Sequence, residues 1–185
     1  MIARGNDGNN IPWQVLSKQV IYHSRWVGLE QWAVRLPDGQ LIPEHHVVVY
    51  PRPAVGIVPR DDRGRFLLID HYRFITGTRG WEIPAGRVEE NESISAAAAR
   101  ELLEETGHRA EGWRMLGRYH PTNGSSNQEF HVMIAEGLRR IAEVSDTNET
   151  LDWRWFEIEA VSAMLRRNEI RDGFSITALL WALMT

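Results

Sequence analysis

The sequence predicts an α/β fold, in which a mixed β-sheet lies between helical layers and follows a small N-terminal antiparallel β-meander. Alternating apolar residues dominate the first part of the chain, which is typical of strands. An alanine-rich segment, about Ser93 to Thr106, predicts one central helix. Two further helices, about Ile158–Arg167 and Asp172–Leu183, close the chain, and Asp172 is placed to cap the second. This order of elements favours an α/β/α sandwich.

Composition excludes several classes of protein. With 185 residues, 43% hydrophobic and 25% charged, the chain is long enough to bury its own core. It has no cysteine, so disulfides and thiolate metal sites are excluded. A net charge of −4 argues against a nucleic-acid polymer as partner, and no apolar run approaches a membrane span. We therefore expect a cytoplasmic protein that binds neither nucleic-acid polymers nor membranes.

The first part of the chain, residues 1–51, is expected to form a separate β-rich appendage. The polar, glycine-rich run Arg4–Asn10 predicts a mobile terminus. Strands are expected at residues 14–22, 26–36 and 41–50, and Pro37-Asp38-Gly39 is a strong turn signal between the last two. Pro51-Arg52-Pro53 marks the boundary, so residues 52–185 form the second domain.

The second domain is expected to contain five strands, at residues 54–58, 65–69, 113–119, 130–135 and 151–156. The first two form a hairpin over residues 61–64. Three stretches are expected to be loops because Gly, Ser, Thr, Asn and Asp concentrate in them. These are residues 76–80, 121–128 and 145–150.

Three glutamates form the most informative cluster in the chain. Glu101, Glu104 and Glu105 occupy positions i, i+3 and i+4 of the central helix, so they share one face. Like charges crowded together oppose folding unless a cation lies among them, and a divalent metal is the natural candidate. A solvated acidic face is the alternative interpretation. Eight of the 25 acidic residues lie between Glu82 and Glu111, a local excess that suits a metal-assisted phosphate site.

The stretch around these glutamates reads GRVEENESISAAAARELLEETGH. Its spacing is set by Gly86, Glu92, Arg100, Glu101, Glu104, Glu105 and Gly107. These positions match, and the stretch resembles, the signature of the Nudix hydrolases, which cleave a nucleoside diphosphate linked to another moiety. His108 departs from the pattern, whose last position is usually aliphatic. The complete spacing favours a metal site over a solvated face.

The resemblance implies a metal centre that binds Mg²⁺, or Mn²⁺ in its place. In the family, carboxylates and one backbone carbonyl bind the ions, which orient the diphosphate and activate a water. The matching positions are Glu101, Glu104, Glu105 and the carbonyl of Ala85. Glu92 and Arg100 match a structural ion pair that holds the preceding loop against the helix.

The catalytic residues that the resemblance implies are Glu104 and Glu105, together with a general base from a separate loop. The matching loop covers residues 145–150. Glu149 is the best candidate for the base, and Asp146 is the reserve. An ordinary polar loop is the alternative interpretation of both residues.

Features outside the signature resemble the ADP-ribose pyrophosphatases, including the appendage and the WEIPAG run at residues 81–86. In that subfamily the appendage builds a homodimer, and both chains line the nucleotide site. The positions that match substrate contacts are Arg52, Arg73, Glu82 and Thr122. An arginine suits a diphosphate because its guanidinium is a rigid five-donor fork. Without this context, Arg73 would more often be a surface arginine.

Two regions leave the identity of the substrate open. Residues 121–128 carry amides where the relatives carry a Ser-Pro-Gly run and an acidic pair, so another sugar is an alternative. Trp26 and Trp32 could stack on a base, although tryptophans at alternating strand positions are more often core or interface residues.

The expected function is hydrolysis of the diphosphate in ADP-ribose or a related nucleoside diphosphate sugar, giving a nucleoside monophosphate and a sugar phosphate. One alternative is an enzyme that removes damaged nucleoside triphosphates, and the appendage argues against it. The other is a sensor that binds a nucleotide sugar without cleaving it. The complete set of glutamates argues against a sensor.

Overall fold

The structure, a computed structural model, describes residues 12–146 and 148–185. Arg4–Asn10, which the sequence predicts to be a mobile terminus, lies outside the described residues. The chain divides into two compact units. The N-terminal unit comprises residues 1–51 and 122–127, and the C-terminal unit comprises residues 52–121 and 128–185. The short segment 122–127 therefore belongs with strands that precede it by more than seventy positions in the chain.

The N-terminal unit is built on a three-stranded antiparallel sheet, which confirms the predicted meander. Its strands are β1 (Gln14–His23), β2 (Gly28–Arg35) and β3 (Leu41–Val49), in the order β1-β2-β3. Gly39 closes the predicted turn with φ of +87°, a conformation that glycine adopts without steric cost. All ten residues of β1 are exposed to solvent.

The segment 122–127 is tied to β3 by backbone and amide contacts. Val48 and Ser126 form an isolated parallel bridge. The backbone N–H of Tyr50 donates to Asn127 Oδ1 at 2.6 Å, and Asn127 Nδ2 donates to the carbonyl of Tyr50 at 3.1 Å. One asparagine thus satisfies both backbone groups of the residue that follows β3.

The C-terminal unit is centred on a mixed four-stranded sheet. Its strands are β4 (Ala54–Pro59), β7 (Ala85–Arg87), β9 (Gly112–Tyr119) and β10 (Phe130–Glu136). The order is β7-β4-β10-β9, in which β4 and β10 are parallel and the outer strands are antiparallel to their neighbours. The mixed sheet that the sequence predicts is therefore confirmed.

A second sheet of the C-terminal unit positions the site. It consists of β5 (Phe66–Arg73), β6 (Thr78–Glu82) and β12 (Thr150–Phe156), in the order β12-β5-β6, with all pairs antiparallel. The sequence predicts a loop at residues 76–80, and this prediction is wrong from Thr78 onward. Residues 78–82 pair with β5, and hydrogen bonds from Arg79 to Asp70 reinforce this pairing. The pairing overrides the preference of Gly and Thr for loops.

The helices cover both faces of the mixed sheet. They are α1 (Ile94–Thr106), α2 (Ile158–Arg166) and α3 (Gly173–Leu183), and a two-stranded ribbon pairs β8 (His108–Arg109) with β11 (Arg139–Arg140). Val55 and Ile57 of β4 pack with α1, whereas Val58 packs in the cluster that contains α2 and α3. This is the predicted α/β/α sandwich. None of the helices in the described ranges is long and apolar enough to cross a membrane.

The predicted cap of the last helix is also confirmed. Asp172 Oδ2 accepts hydrogen bonds from both the backbone N–H and the hydroxyl of Ser175, each at 2.7 Å. The Ser175 hydroxyl in turn accepts from the backbone N–H of Ile83 at 3.0 Å, just after β6. The start of α3 is therefore fixed to the strand that carries Glu82.

Candidate metal and substrate site

Helix α1 is delimited so that the three signature glutamates fall in its last two turns. Ser93 caps the start by accepting a hydrogen bond from the N–H of Ala96 at 3.2 Å. Gly107 ends the helix in the left-handed conformation, with φ of +71°, and its N–H donates to the carbonyl of Leu103 at 2.9 Å. Glu101, Glu104 and Glu105 precede this cap on one side of the helix.

Arg100 compensates part of the acidic charge. Its guanidinium donates to Glu92 through Nε and Nη2, each at 3.0 Å, which is the ion pair that the resemblance implies. Nη1 donates to Glu101 at 2.7 Å and to Glu104 at 3.1 Å. The hydrogen bonds from Arg100 lower the pKa of Glu92. A single arginine thus holds three carboxylates together.

Gly86 leaves room for the carboxylate of Glu101. A Cβ atom at position 86 would overlap with the side-chain oxygens of Glu101. Glycine therefore lets β7 lie directly against the acidic face of α1. Burial raises the pKa of Glu101, and the hydrogen bond from Arg100 opposes that rise.

Glu105 is the most deeply buried glutamate of the signature, at 2% exposed. Its Oε2 accepts a hydrogen bond from the N–H of Ala85 at 2.9 Å. Burial, followed by the negative charges of Glu101 and Glu149, raises the pKa of Glu105 well above its usual value, and Arg73 offsets this only in part. Within the described residues no ion pair compensates Glu105, so a divalent cation would stabilise it.

Ala85 is thus placed at the site by its amide. The sequence interpretation gave its carbonyl oxygen as a metal ligand, and that role remains a prediction. The amide bond to Glu105 has its own effect, since a backbone N–H stabilises the ionised form of the carboxylate that accepts it.

The loop that carries Glu149 is anchored to the end of α1. The backbone N–H groups of Ser145 and Asp146 donate to the carbonyl of Glu104 at 3.0 and 3.1 Å. Asp146 Oδ1 accepts from the backbone N–H groups of Asn148 and Glu149, at 3.2 and 3.1 Å. The Asp146 carboxylate therefore shapes the loop, which favours Glu149 over Asp146 as the predicted base.

His71 joins Glu105 and Glu149 in one cluster. Each of the three offers one ligand atom, a ring nitrogen or a carboxylate oxygen, and these atoms lie within 4.8 Å of one another. His71 pairs with Thr150 across β5 and β12, which brings it next to the loop of Glu149. Burial, and then the charge of Arg73, lower the pKa of His71, so the ring is neutral near pH 7.

The sequence interpretation missed His71, although a signal for it existed. Arg73 was predicted to contact the substrate, but the strand was predicted to end at Ile69; in the structure β5 continues to Arg73. Residues two apart on a strand point to the same face of the sheet, so His71 had to share that face. A histidine next to a predicted phosphate contact was therefore a candidate site residue.

Arg73 and Glu82 form an ion pair between β5 and β6, beside a cavity of about 540 Å³. Arg73 Nε and Nη2 both donate to Glu82 Oε2, at 3.0 and 2.7 Å. Burial raises the pKa of Glu82, and the hydrogen bonds from Arg73 oppose that rise. The cavity wall includes His71, Arg73, Glu82, Glu149, Asp172 and Gly173. The loop glutamate and the arginine thus face the same space.

The other two predicted substrate contacts do not line this cavity. Arg52 Nη2 donates to Glu90 Oε2 at 3.1 Å. Thr122 belongs to the N-terminal unit, where its hydroxyl and that of Ser126 lie 2.5 Å apart. The roles of Arg52 and Thr122 as substrate contacts remain predictions.

A smaller cavity, of about 330 Å³, lies within the N-terminal unit. Trp32 lines it together with Trp13, Val34, His45 and the segment 123–127. Trp32 Nε1 donates to Glu30 Oε2 at 2.7 Å, which fixes the plane of the indole. Trp26 is 54% exposed and does not line this cavity. Base stacking by either tryptophan remains a prediction.

His108, the departure from the signature, is a buried residue of the core. It is 5% exposed, and its Nδ1 lies 2.9 Å from the carbonyl oxygen of Thr106, so Nδ1 carries the proton and donates. Its ring meets Trp153 edge-on, with centroids 5.0 Å apart. Burial lowers the pKa of His108. A neutral imidazole thus takes the place of the usual aliphatic side chain.

Comparisons with known proteins identify the family of the chain. The family model described as "NUDIX domain" matches residues 50–177. A second model, "Nucleoside diphosphate sugar hydrolase N-terminal domain", matches residues 13–48. The chain therefore belongs to the Nudix family, whose hydrolases generally use a divalent metal.

Individual relatives place the chain among the Nudix pyrophosphatases. A CMP-5'-(N-acetyl-N-hydroxy-3-aminopropyl)phosphonate hydrolase of Streptomyces rubellomurinus is 33% identical over 154 residues, covering 83% of this chain and 74% of the relative. An ADP-ribose pyrophosphatase of Mycobacterium tuberculosis is 30% identical over 171 residues, which cover 91% of this chain and 82% of the relative. The solved structure of an ADP compounds hydrolase matches with a TM-score of 0.81 at 22% identity, covering 92% of each chain, which supports the fold.

Proposed function

We propose that this protein is an Mg²⁺-dependent enzyme that hydrolyses the diphosphate of ADP-ribose or a related nucleoside diphosphate sugar. The products are a nucleoside monophosphate and a sugar phosphate. The match of residues 13–48 to an N-terminal domain of nucleoside diphosphate sugar hydrolases supports this substrate class, as does the Mycobacterium tuberculosis relative. A cytoplasmic location is part of the proposal, and the cysteine-free sequence is compatible with it.

One observation carries the proposal. Glu149 reaches from a separate loop to within 4.8 Å of Glu105 on α1, and it also lines the cavity that contains Arg73. Acidic ligands, a candidate base and a candidate phosphate contact therefore meet at one place. The volume of about 540 Å³ falls within the ~300–1,000 Å³ of typical small-molecule sites.

The residues present fit a divalent cation. Glu101, Glu104 and Glu105 would hold it, because Mg²⁺ prefers carboxylate oxygens. The structural sign of this fit is the Glu105 carboxyl, which is buried, has a raised pKa and has no ion-pair partner among the described residues. When bound, the ion would neutralise charge on the diphosphate and lower the pKa of the attacking water.

Residues of the chain would carry out the proton transfer and bind the phosphate. Glu149 would accept the proton of the attacking water as general base. Glu82 occupies Nε and Nη2 of Arg73, which leaves Nη1 to donate to a phosphate oxygen. Because Glu82 is only 6% exposed, it holds the guanidinium in place without itself facing solvent.

We also propose that the protein is a homodimer formed through the N-terminal unit. The exposed strand β1 presents Val15, Leu16, Val20, Ile21 and Tyr22, each between 45% and 57% exposed. An exposed apolar edge strand is prone to pair with another chain, and a second copy would cover it. Size-exclusion chromatography with light scattering tests this proposal, and a monomer at micromolar concentration would contradict it.

A second substrate class is favoured by one specific similarity. The Streptomyces rubellomurinus relative, 33% identical, is named for a CMP-linked phosphonate. The loop 121–128 carries amides at Asn123, Asn127 and Gln128 where the resemblance implies acidic residues, and amides both donate and accept hydrogen bonds. A cytidine diphosphate linked to a polar group is therefore the second candidate.

A substrate panel tests the proposal. The panel contains ADP-ribose, other nucleoside diphosphate sugars, CDP-linked alcohols and nucleoside triphosphates, each incubated with Mg²⁺ and with EDTA. We expect Mg²⁺-dependent release of a nucleoside monophosphate, with the largest kcat/KM for ADP-ribose. Preference for a triphosphate with release of pyrophosphate would identify the nucleotide-cleaning alternative. Binding without cleavage of any compound would identify a sensor, and either result would overturn the proposal.

A further inference from the structure

His71 is a site residue that the glutamate signature does not explain. It is 5% exposed, yet its Nδ1 has no hydrogen-bond partner. In the described parts of the chain, Thr150 Oγ1 is the other buried polar side-chain atom that has no hydrogen-bond partner. Buried polar atoms nearly always have a partner, so an unsatisfied one at a site points to a missing ligand or water.

The strand register shows that no local side chain has satisfied this histidine. His71 and Thr150 are direct partners across β5 and β12, so their side chains lie on the same face. His71 Nδ1 and Thr150 Oγ1 nevertheless have no hydrogen-bond partner. The neighbouring Arg73 is already bonded to Glu82, and as a cation it could only donate. The imidazole of His71 therefore has an unsatisfied Nδ1 and lies, by one of its ring nitrogens, close to the carboxylates of the site.

The three groups lie close to the spacing that one shared ion requires. A ring nitrogen of His71 and one carboxylate oxygen each from Glu105 and Glu149 lie within 4.8 Å of one another. Two ligands bound about 2.0–2.2 Å from one ion lie at most about 4.4 Å apart, so atoms at the full 4.8 Å would move together by about 0.4 Å when an ion binds. The three groups come from β5, α1 and the loop before β12, so they converge from three separate elements.

We propose that His71 supplies an imidazole ligand to the divalent ion held by Glu105, beside the candidate base Glu149, and thereby shifts the selectivity of this site from Mg²⁺ toward Mn²⁺, Co²⁺ and Zn²⁺. Imidazole suits transition ions, whereas Mg²⁺ prefers oxygen ligands alone. This inference rests on the proposed function, because it takes the glutamate site as the metal site.

Pulsed electron paramagnetic resonance of the untagged, Mn²⁺-loaded protein tests the ligand directly. Electron spin-echo envelope modulation detects the ¹⁴N nucleus of an imidazole bound to Mn²⁺, without any need for turnover. We expect this coupling in the wild-type protein and its loss in His71→Gln. His108→Gln is the matched control, since His108 is also 5% exposed but lies in the core beside Trp153. This control should keep the coupling.

Isothermal titration provides the second measurement. The ratio of Co²⁺ affinity to Mg²⁺ affinity should fall at least about 10-fold in His71→Gln, the order of magnitude typical when the surroundings of a bound metal are disturbed. His108→Gln should leave the ratio unchanged. An unchanged ratio in His71→Gln would overturn the inference, because an imidazole that does not touch the ion cannot select among ions.

The failures of this inference and of the proposed function are distinguishable. If Mn²⁺ binds in a Glu105-dependent manner but shows no ¹⁴N coupling, the inference is wrong and the proposed metal site stands. Coupling that persists in His71→Gln would also overturn the inference. If Mn²⁺ does not bind, or binds equally well in Glu105→Gln, both proposals fail.

Discussion

Two groups of carboxylates lie around the same helix, and they differ in what balances their charge. In the arginine cluster, Arg100 donates to Glu92, Glu101 and Glu104 over 2.7–3.1 Å. In the open cluster, Glu105 and Glu149 converge with the neutral ring of His71. No ion pair compensates Glu105 within the described residues, so the open cluster is the part that a metal ion would complete.

This difference shows that spacing alone does not assign a role to a carboxylate. Glu104 and Glu105 are neighbours in the signature, yet the side chain of Glu104 is 44% exposed and bonded to Arg100, whereas Glu105 is 2% exposed. The protein itself stabilises the carboxylate of Glu104, through Arg100. For Glu105 it provides only the backbone N–H of Ala85, which partly offsets the cost of burial.

The largest effect is expected from Glu105→Gln in the open cluster. The substitution removes the charge that would hold the ion but keeps an oxygen that can accept from the N–H of Ala85. We expect kcat to fall by roughly three orders of magnitude, which corresponds to about 4 kcal/mol. Steady-state kinetics with excess Mg²⁺ measure this, and circular dichroism checks that the fold is intact. A rate within a few-fold of wild type would refute the site.

Glu149→Gln should rank second. Removing a general base typically lowers kcat by about 10²–10⁴-fold, and the Michaelis constant should change little because Gln keeps the size of the side chain. Asp146→Asn is the matched control, since the amide oxygen can still accept from the N–H groups of Asn148 and Glu149. Equal losses in the two variants would show that the loop, and not the Glu149 carboxylate, matters.

Removing the cation of the arginine cluster should lower the stability of the protein. Arg100→Gln leaves Glu92, Glu101 and Glu104 without their cation, and we expect the free energy of unfolding to fall by about 2–4 kcal/mol. Arg79→Gln is the control, because the side chain of Arg79 is 61% exposed in its pair with Asp70, and exposed ion pairs contribute little to stability. Urea unfolding of both variants makes the comparison. Similar losses would contradict the structural role of Arg100.

Sequence alone could predict the arrangement of α1. Positions i, i+3 and i+4 place Glu101, Glu104 and Glu105 on one side of any helix, and Gly107 is a typical helix end. The same spacing could not show which of them Arg100 compensates. That depends on rotamers and burial, which arise only when β7 packs against the helix.

Other features depended on long-range pairing. The stretch containing Gly77 and Thr78 has the composition of a loop, but pairing with β5 makes Thr78–Glu82 a strand. Its spacing from Arg73 made His71 a candidate site residue, but chain order could not show that it lies beside Glu105 and Glu149, because it precedes Glu105 by more than thirty positions and is far from Glu149. Only the register of β5 with β12 brings them together.

The smallest expected effect concerns His108, which lies outside both clusters. Because burial lowers its pKa in the folded state, its contribution to stability is fully present above the unfolded value of about 6.5. That contribution is lost as pH falls below this value toward the folded pKa. In His108→Leu, stability should therefore decline less between pH 7 and pH 5 than in the wild type. If the free energy of unfolding changed equally with pH in both proteins, the lowered pKa of folded His108 would be contradicted.

The most direct test of the contrast between the two clusters is the rise in melting temperature on adding Mn²⁺. A ligand that binds only the folded state raises stability by RT ln(1 + [L]/Kd). We predict a rise in the wild type, a similar rise in Glu92→Gln, whose carboxylate belongs to the arginine cluster, and no rise in Glu105→Gln. A rise that survives in Glu105→Gln, or is lost equally in both variants, would contradict the account.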